Sequence, residues 1–250
     1  MYPDLRGKTA IVTGGSRGLG AALCVDLAKH GARVVVCARD PIGVEHTVNV
    51  IRWDGGTAMG VVADCTKEDE VERLRLASEQ DFGPAELLAV FAGGDGEPTP
   101  TLETPMSHWN AVIETNLSAT FLVLRDILPA MRARGRGAVV TMSSAAARQP
   151  AKSSAAYAVA KGAIITLTRH VAAELAPSGV RVNCLAPSAI VTDKLAAAPQ
   201  RARDELAATF PLGRLGNPRD VTAAALYLLS DASAWITGAT LDIAGGKIYA

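Results

Sequence analysis

Thr9-Ala-Ile-Val-Thr-Gly-Gly-Ser-Arg-Gly-Leu-Gly20 is a short apolar run that stops at a loop with glycines at 14, 18 and 20. Thr9–Thr13 reads as a buried strand. The amphipathic segment from Ala21 to His30, closed by Gly31 just past its end, reads as a helix. A glycine loop in that position sets helix N-terminal amides where they bind a pyrophosphate. Glycine is needed where the chain turns sharply, meets the phosphates closely and packs helix on strand. The spacing Gly14-x-x-x-Gly18-x-Gly20 differs from the usual G-x-G-x-x-G, so the strand–helix context carries the reading.

Working outward, Arg33–Cys37 is a second strand, and Asp40-Pro41 is an N-cap followed by a first-turn proline, opening a helix towards Trp53 that ends at Gly55-Gly56. Thr57–Ala63 is a third strand, and Thr66-Lys-Glu-Asp69 a capping-box-like start for a charged helix to about Gln80. Leu87–Phe91 is a fourth strand. Thr104-Pro105 again reads as an N-cap followed by a first-turn proline, opening a helix that runs past Asn116 to about Arg134. Gly137–Ser144 is a fifth strand, followed by an alanine-rich helix that starts near Ser153-Ser154 and ends near Pro177-Ser-Gly179. Val180–Leu185 is a sixth strand, residues 188–211 form a partly helical insert, Asn217-Pro218 starts the last helix, and Thr240–Ile243 is a final strand.

Short apolar strands alternating with amphipathic helices give a parallel sheet covered on both faces. Right-handed crossovers then predict a doubly wound, Rossmann-type α/β fold: one domain over 1–250 with a seven-stranded parallel sheet. Ligands in such sheets lie beyond the carboxyl ends of the strands, where Gly14–Gly20, Asp64, Gly93, Ser144 and Pro187 all fall.

Composition bounds the function classes. The 250 residues are 49% hydrophobic and 20% charged, which is globular. The 25 basic and 25 acidic residues balance to +0, so no charge draws the chain to nucleic acid or an anionic membrane. No apolar run approaches the ~20 residues of a membrane span, and no secretory signal is visible, so a cytoplasmic protein is expected. Cys24, Cys37, Cys65 and Cys184 are scattered without a C-x-x-C, which reads as reduced buried thiols with no metal site.

The chemistry is carried by Ser144, Tyr157 and Lys161. Tyr157 and Lys161 are an i,i+4 pair on one helix face, with Ser144 at the neighbouring strand end. A phenol ordinarily loses its proton near pH ~10. A nearby ammonium favours the phenolate and brings it into range for exchange with an alcohol. A serine hydroxyl can hydrogen-bond the oxygen that gains or loses charge. The identity of the dinucleotide follows from charge. An acid just past the second strand would bind a ribose 2′-hydroxyl, but that position holds Ala38, followed by Arg39, and Arg17 is a second cation in the glycine loop. With Asp40 assigned to capping, NADP(H) is favoured over NAD(H). Asp64 is either an acceptor for the adenine amino group or an ordinary N-cap.

Thr13-Gly14-x-x-x-Gly18-x-Gly20, Asn116, Ser144, Tyr157-x-x-x-Lys161 and Pro187, in this order, resemble the single-domain short-chain dehydrogenases/reductases, and look closest to the 3-oxoacyl-acyl-carrier-protein reductase-like group. The resemblance covers essentially the whole chain, including Asp231-Ala-Ser-Ala-Trp-Ile-Thr-Gly238 and Asp242-Ile-Ala-Gly-Gly246. It implies that Tyr157 gives a proton to a carbonyl or takes one from an alcohol. Lys161 would lower its pKa and bind the nicotinamide ribose, Ser144 would orient the substrate oxygen, and Asn116, at a helix kink, would hold a water linking Lys161 to solvent. Ser143 is chemically equivalent to Ser144 but points elsewhere by strand alternation. The implied cofactor contacts are Gly14, Ser16, Arg17, Gly18, Leu19, Gly20, Arg39, Asp64, Cys65, Ala92, Gly93, Tyr157, Lys161, Pro187, Ile190 and Thr192, with no metal.

Two departures stand out. The family's Asn-Asn-Ala-Gly is here Val90-Phe91-Ala92-Gly93, and its Pro-Gly is Pro187-Ser188, which is expected to put a side chain where the family's backbone faces the nicotinamide. The leading expectation is a hydride-transferring oxidoreductase for a ketone or secondary alcohol. Alternatives are a dedicated 3-oxoacyl-acyl-carrier-protein reductase, an NAD(H)-using alcohol dehydrogenase, and a nucleotide-sensing protein. Expected pocket residues come from Gly94-Asp95-Gly96, Ala145–Ser154 and Ser188–Phe210. The family resemblance implies a homotetramer, with Ala119–Leu124 and Ala163–Thr168 apolar around more of each helix than one core contact needs.

Overall fold

Along β1 (Thr9–Thr13), Ala10 and Val12 face one side of a sheet and Ile11 the other, and both sides are buried. The next strand, β2 (Arg33–Ala38), repeats this: Val34 and Val36 join the first side, Val35 and Cys37 the second. A strand apolar on both faces has to be covered by helices on both. α1 (Gly18–Lys29), α2 (Pro41–Trp53) and α9 (Pro218–Leu229) cover the first face through Leu23, Leu27, Val48, Ile51 and Leu229. α3 (Glu68–Phe82), α5 (Ala119–Arg134) and the end of α6 (Ala155–Leu175) cover the second through Leu74, Val123, Ile127 and Leu175. Each such side chain, fully buried, contributes roughly 1.5–3 kcal/mol.

The computed structural model describes residues 2–94 and 98–248, so Asp95 and Gly96 of the expected pocket lie outside it. The remaining strands are β3 (Thr57–Val62), β4 (Leu87–Val90), β5 (Gly137–Met142), β6 (Val180–Pro187) and β7 (Thr240–Ile243). They form the expected seven-stranded parallel sheet, in the order β3-β2-β1-β4-β5-β6-β7. The winding reverses between β1 and β4, which opens a crevice at their carboxyl ends. Among the described residues no helix is long and apolar enough to cross a membrane. All four cysteines are free and buried.

Several helix starts follow the sequence. Asp40 accepts from Ile42 N at 3.1 Å, with Pro41 in the first turn. Ser154 accepts from Tyr157 N at 3.2 Å, and Asn217 with Asp220 makes a reciprocal capping box. Two expectations are corrected. Thr66 does not cap α3; its amide and hydroxyl both bond Asp64 Oδ1, and the N-cap is Lys67. Nor does Thr104 cap: its hydroxyl goes back to Pro100 O, and Pro105 is itself the N-cap of α4 (Met106–Ile113). Both hydroxyls found nearer loop partners than the helix amides. The helix expected across Asn116 is interrupted by a π segment, Glu114–Ser118, and the 188–211 insert holds α7 (Asp193–Ala196) and α8 (Gln200–Ala207).

Ser154→Ala should leave the buried start of α6 with an unpaired amide at Tyr157. A loss of ~1 kcal/mol is expected, read as a fall in Tm of ~2–4 °C for a domain of this size; scanning calorimetry on parent and variant checks it.

Candidate active site

The glycine loop sits in the β1/β4 crevice. A Cβ on Gly14 (φ +71°) would lie 2.9 Å from the backbone of Phe91 and Ala92, so only glycine lets the two strand ends approach this closely. A Cβ on Gly18 (φ +56°) would point across the opening to within 3.8 Å of Thr192 Cγ2. Arg17 is the N-cap of α1 and puts no side chain on the helix amides. The result is a cleft of about 590 Å³ whose walls include twelve of the expected cofactor residues: Gly14, Ser16, Arg17, Gly18, Leu19, Gly20, Arg39, Asp64, Cys65, Ala92, Gly93 and Thr192.

Pro187 and Ile190 are buried behind the wall. Pro187 ends β6, and Ile190 bridges Gly216 and accepts from Thr192 N at 2.9 Å. Ala38 and Phe91, which the sequence reading noted without counting them as contacts, line the cleft, and so does Ala63, which it missed although the residue directly follows β3. It also missed Thr115 and Ala119, which lie in and just after the π segment that takes the place of the helix kink expected at Asn116.

At the adenine end suggested by the sequence, Asp64 accepts both bonds from Thr66 on one oxygen, while the other lies 3.9 Å from Arg39 Nη1. Burial works to raise this carboxyl, but the Thr66 bonds and the charges of Arg39 and Lys67 outweigh it and hold the group below the usual range. An N-cap role for Asp64 is therefore set aside. Asp40 also lines the cleft, with its Oδ1 committed to the amide of Ile42.

At the other end, Lys161 is 3% exposed and donates to Met142 O at 2.9 Å. Its Nζ lies 5.5 Å from the centroid of the Tyr157 ring, within cation–π range. Burial depresses the ammonium to about 8. A Cβ on Gly93 would sit 3.3 Å from Lys161 Nζ and 2.6 Å from Asn116 Oδ1, so glycine at the cleft wall brings these two groups together. Asn116, fully buried in the π segment, donates to Val112 O at 2.9 Å and Gly94 O at 2.8 Å and accepts from Gly94 N at 3.2 Å. Its side chain thus pins the Gly93–Gly94 backbone. Ser144 is half-buried and accepts from Ala146 N at 3.2 Å, whereas Ser143 turns away and donates to Lys161 O.

The two departures resolve differently. Val90 is buried in the second core and Phe91 packs on the first, so apolar contacts replace the lost amides, while Thr13 Oγ1 takes Ala92 N at 3.2 Å. Ser188 does not reach the cleft. Its amide donates to Ile243 O at 3.0 Å, and it lines a second cavity of about 370 Å³ with Phe210, Leu212 and Asp242.

A parallel doubly wound sheet with a glycine loop at its switch point, a buried lysine beside a tyrosine and an asparagine in a helix irregularity defines a class of nucleotide-dependent oxidoreductase. Comparison with known proteins agrees. Residues 14–247 match the family described as enoyl-(acyl carrier protein) reductase. Glucose 1-dehydrogenase 2 of Bacillus subtilis (strain 168) is 34% identical over 249 residues, covering 98% of this chain and 96% of its own. A 3-oxoacyl-[acyl-carrier protein] reductase from Brucella melitensis with bound NAD superposes with a TM-score of 0.89 at 31% identity, covering 99% and 94%. A single-substitution variant of actinorhodin polyketide ketoreductase with NADPH gives 0.92 at 31%, covering 96% and 97%. The chain belongs to the short-chain dehydrogenase/reductase family and is an oxidoreductase acting on CH–OH and C=O groups. The family uses NAD(P), and the cleft fits it: a glycine-lined opening at the start of α1, with Gly93 on its wall next to the buried Lys161 ammonium.

Lys161→Met, similar in volume and uncharged, should be more stable than the parent at neutral pH. Folded Lys161 loses its proton near 8 and the unfolded chain near 10.5. Between those values the unfolded state binds more protons, so stability rises with pH. The cost of the buried ammonium is therefore full below pH 8 and relieved towards 10.5. The variant's advantage, about 1–3 kcal/mol at pH 7, should shrink as the pH climbs, as followed by urea unfolding over a pH series.

Proposed function

We propose that the chain is an NADP(H)-dependent oxidoreductase that interconverts a ketone and a secondary alcohol, with Tyr157 as proton donor or acceptor. The observation that carries this reading is the desolvated Lys161 ammonium, anchored on Met142 O beside the Tyr157 ring and against Gly93. An ammonium there lowers the cost of forming the phenolate, so Tyr157 exchanges a proton with the substrate oxygen at neutral pH. Ser144, on the first residues past β5, orients that oxygen and stabilises charge on it. Asn116 keeps the Gly93–Gly94 backbone and the lysine in fixed relation. When bound, the dinucleotide supplies or accepts a hydride at the substrate carbon.

Residues of the glycine loop and the amides of α1 would hold the pyrophosphate. Lys161 would also bind the nicotinamide ribose, with Thr192 and the Ile190 backbone near the carboxamide. Arg17 and Arg39, both on the cleft and neither buried, support NADP(H), since they can meet a 2′-phosphate while Asp40 is held by its helix. The 188–211 segment serves as the substrate loop. A dedicated acyl-carrier partner gains no support from the arginines before β5. Arg134 bonds Pro84 O and Ala85 O, and Arg136 pairs with Glu86 at 3.0 Å. Exposed Phe121 on α5 supports a homotetramer, whereas Ile164, Ile165 and Thr168 on α6 are spent on the core.

Assaying NADPH against NADH over a panel of ketones tests cofactor and chemistry together. Arg39→Ala should raise the KM for NADPH about tenfold and barely change that for NADH; equal effects would remove the phosphate role. Tyr157→Phe should abolish turnover and leave NADPH binding by fluorescence nearly intact. Parental kcat in that variant would remove Tyr157 from the mechanism.

A further inference from the structure

Strand β5 meets helix α6 partly through hydroxyl groups, where a helix on a sheet ordinarily presents apolar side chains. Thr141 and Ser143, two residues apart, face the same side, and Thr141, Ser143 and Thr168 are at most 1% exposed. Thr141 Oγ1 and Thr168 Oγ1 share a 2.7 Å hydrogen bond in which either can donate, since Thr168 also reaches Ile164 O at 2.8 Å and Thr141 also reaches Asn183 O at 3.3 Å. Ser143 Oγ donates to Lys161 O at 2.7 Å, and Ser143 N donates to Leu185 O at 2.7 Å, continuing the β5–β6 ladder. The preceding carbonyl, Met142 O, takes the ammonium of the same lysine. Two consecutive residues thus grip Lys161 at both ends.

Lys161 O lies inside α6, where helix geometry already gives it the amide four residues on. The bond from Ser143 is a second one, so satisfying a buried carbonyl does not account for it. Apolar contact is non-directional and leaves a helix free to slide or roll slightly on a sheet, whereas hydrogen bonds are directional. Contacts at Lys161 and at Thr168, two helical turns apart, fix both motions.

We propose that Ser143 is a positioning residue for the Tyr157–Lys161 pair, setting with the Thr141–Thr168 contact the slide and roll of α6 on β5 and hence the depth of the ammonium. The inference rests on the proton-handling role given to that pair, and its test has a readout that does not. The residue acts through Lys161 and touches no substrate.

Ser143→Ala, Ser143→Thr and Thr168→Val are compared with the parent for kcat, its pH profile, NADPH affinity, Tm and the titration of Lys161 followed by NMR of 13C-labelled lysine. In Ser143→Ala, kcat should fall about tenfold while NADPH affinity changes less than about twofold. The Lys161 titration should move up from about 8 towards the ordinary lysine value as water reaches the ammonium. Ser143→Thr, which restores the hydroxyl, should recover most of both. A purely structural serine would lower Tm and leave the titration in place. A folded Ser143→Ala with parental kcat and parental titration overturns the proposal. Should that variant fail to fold, Thr168→Val decides in the same way: a shifted titration supports the proposal and an unshifted one overturns it. Absence of NAD(P)-dependent turnover in the parent would sink the functional reading, while the titration would still report on the positioning.

Discussion

A positive charge held out of water governs the architecture of this site. Moving an ammonium from water into protein costs several kcal/mol after relaxation, and the depressed pKa of Lys161 is that cost expressed as proton affinity. What replaces its hydration shell is spare: one carbonyl from the end of β5, the face of the Tyr157 ring, and the side-chain-free flank at Gly93. Each substitute comes from a different element, so the lysine is tolerated only when strand, helix and loop are assembled together. The π segment belongs to the same requirement. One widened turn rotates Asn116 fully inward, where it clamps Gly94 and occupies the space a side chain at 93 would need.

The cofactor half of the site depends on backbone approach. At the crevice where the sheet reverses its winding, Gly14 passes so close to Phe91 and Ala92 that a single methyl group would separate β1 from β4. Thr13 closes this junction by taking the Ala92 amide. In place of the two amide side chains of the family pattern, Val90 and Phe91 each join a core, on opposite sides of the sheet.

Much of this was legible in the sequence because it depends on period and punctuation. Strand–helix alternation, the glycine loop and the caps at Asp40, Ser154 and Asn217 are local signals that gave the sheet and the glycine-loop wall, while the family resemblance supplied cleft residues such as Ala92, Gly93 and Thr192. The failures have a common cause. Thr66 and Thr104 carry good capping side chains, yet loop geometry offered them closer partners, and nothing in a linear pattern ranks two acceptors. The motif position of Ser188 suggests a side chain facing the cleft, whereas the pairing of its amide with β7 puts it on another cavity. Met142 O, the principal partner of the lysine, is a backbone atom and has no sequence signature.

The relatives bear names for substrates as different as glucose, carrier-bound acyl groups and polyketides, yet the first aligns in sequence and the other two superpose along nearly the full length of the chain. The distribution of burial accounts for this. Ser144, Tyr157 and Lys161, the groups proposed to handle the proton, stand just past β5 and on α6, where displacement would disturb two cores. The 188–211 segment is fastened at its ends, by Ile190 on Gly216 and by buried Phe210, which lies against Gly245. Between these points α8 has no buried residue. A segment fixed at both ends and unpacked in the middle can change shape and side chains at little cost to stability. On the proposed reading, chemistry and selection are thus physically separable: the first is tied to the sheet through a buried charge, and the second falls to a segment held on two anchors.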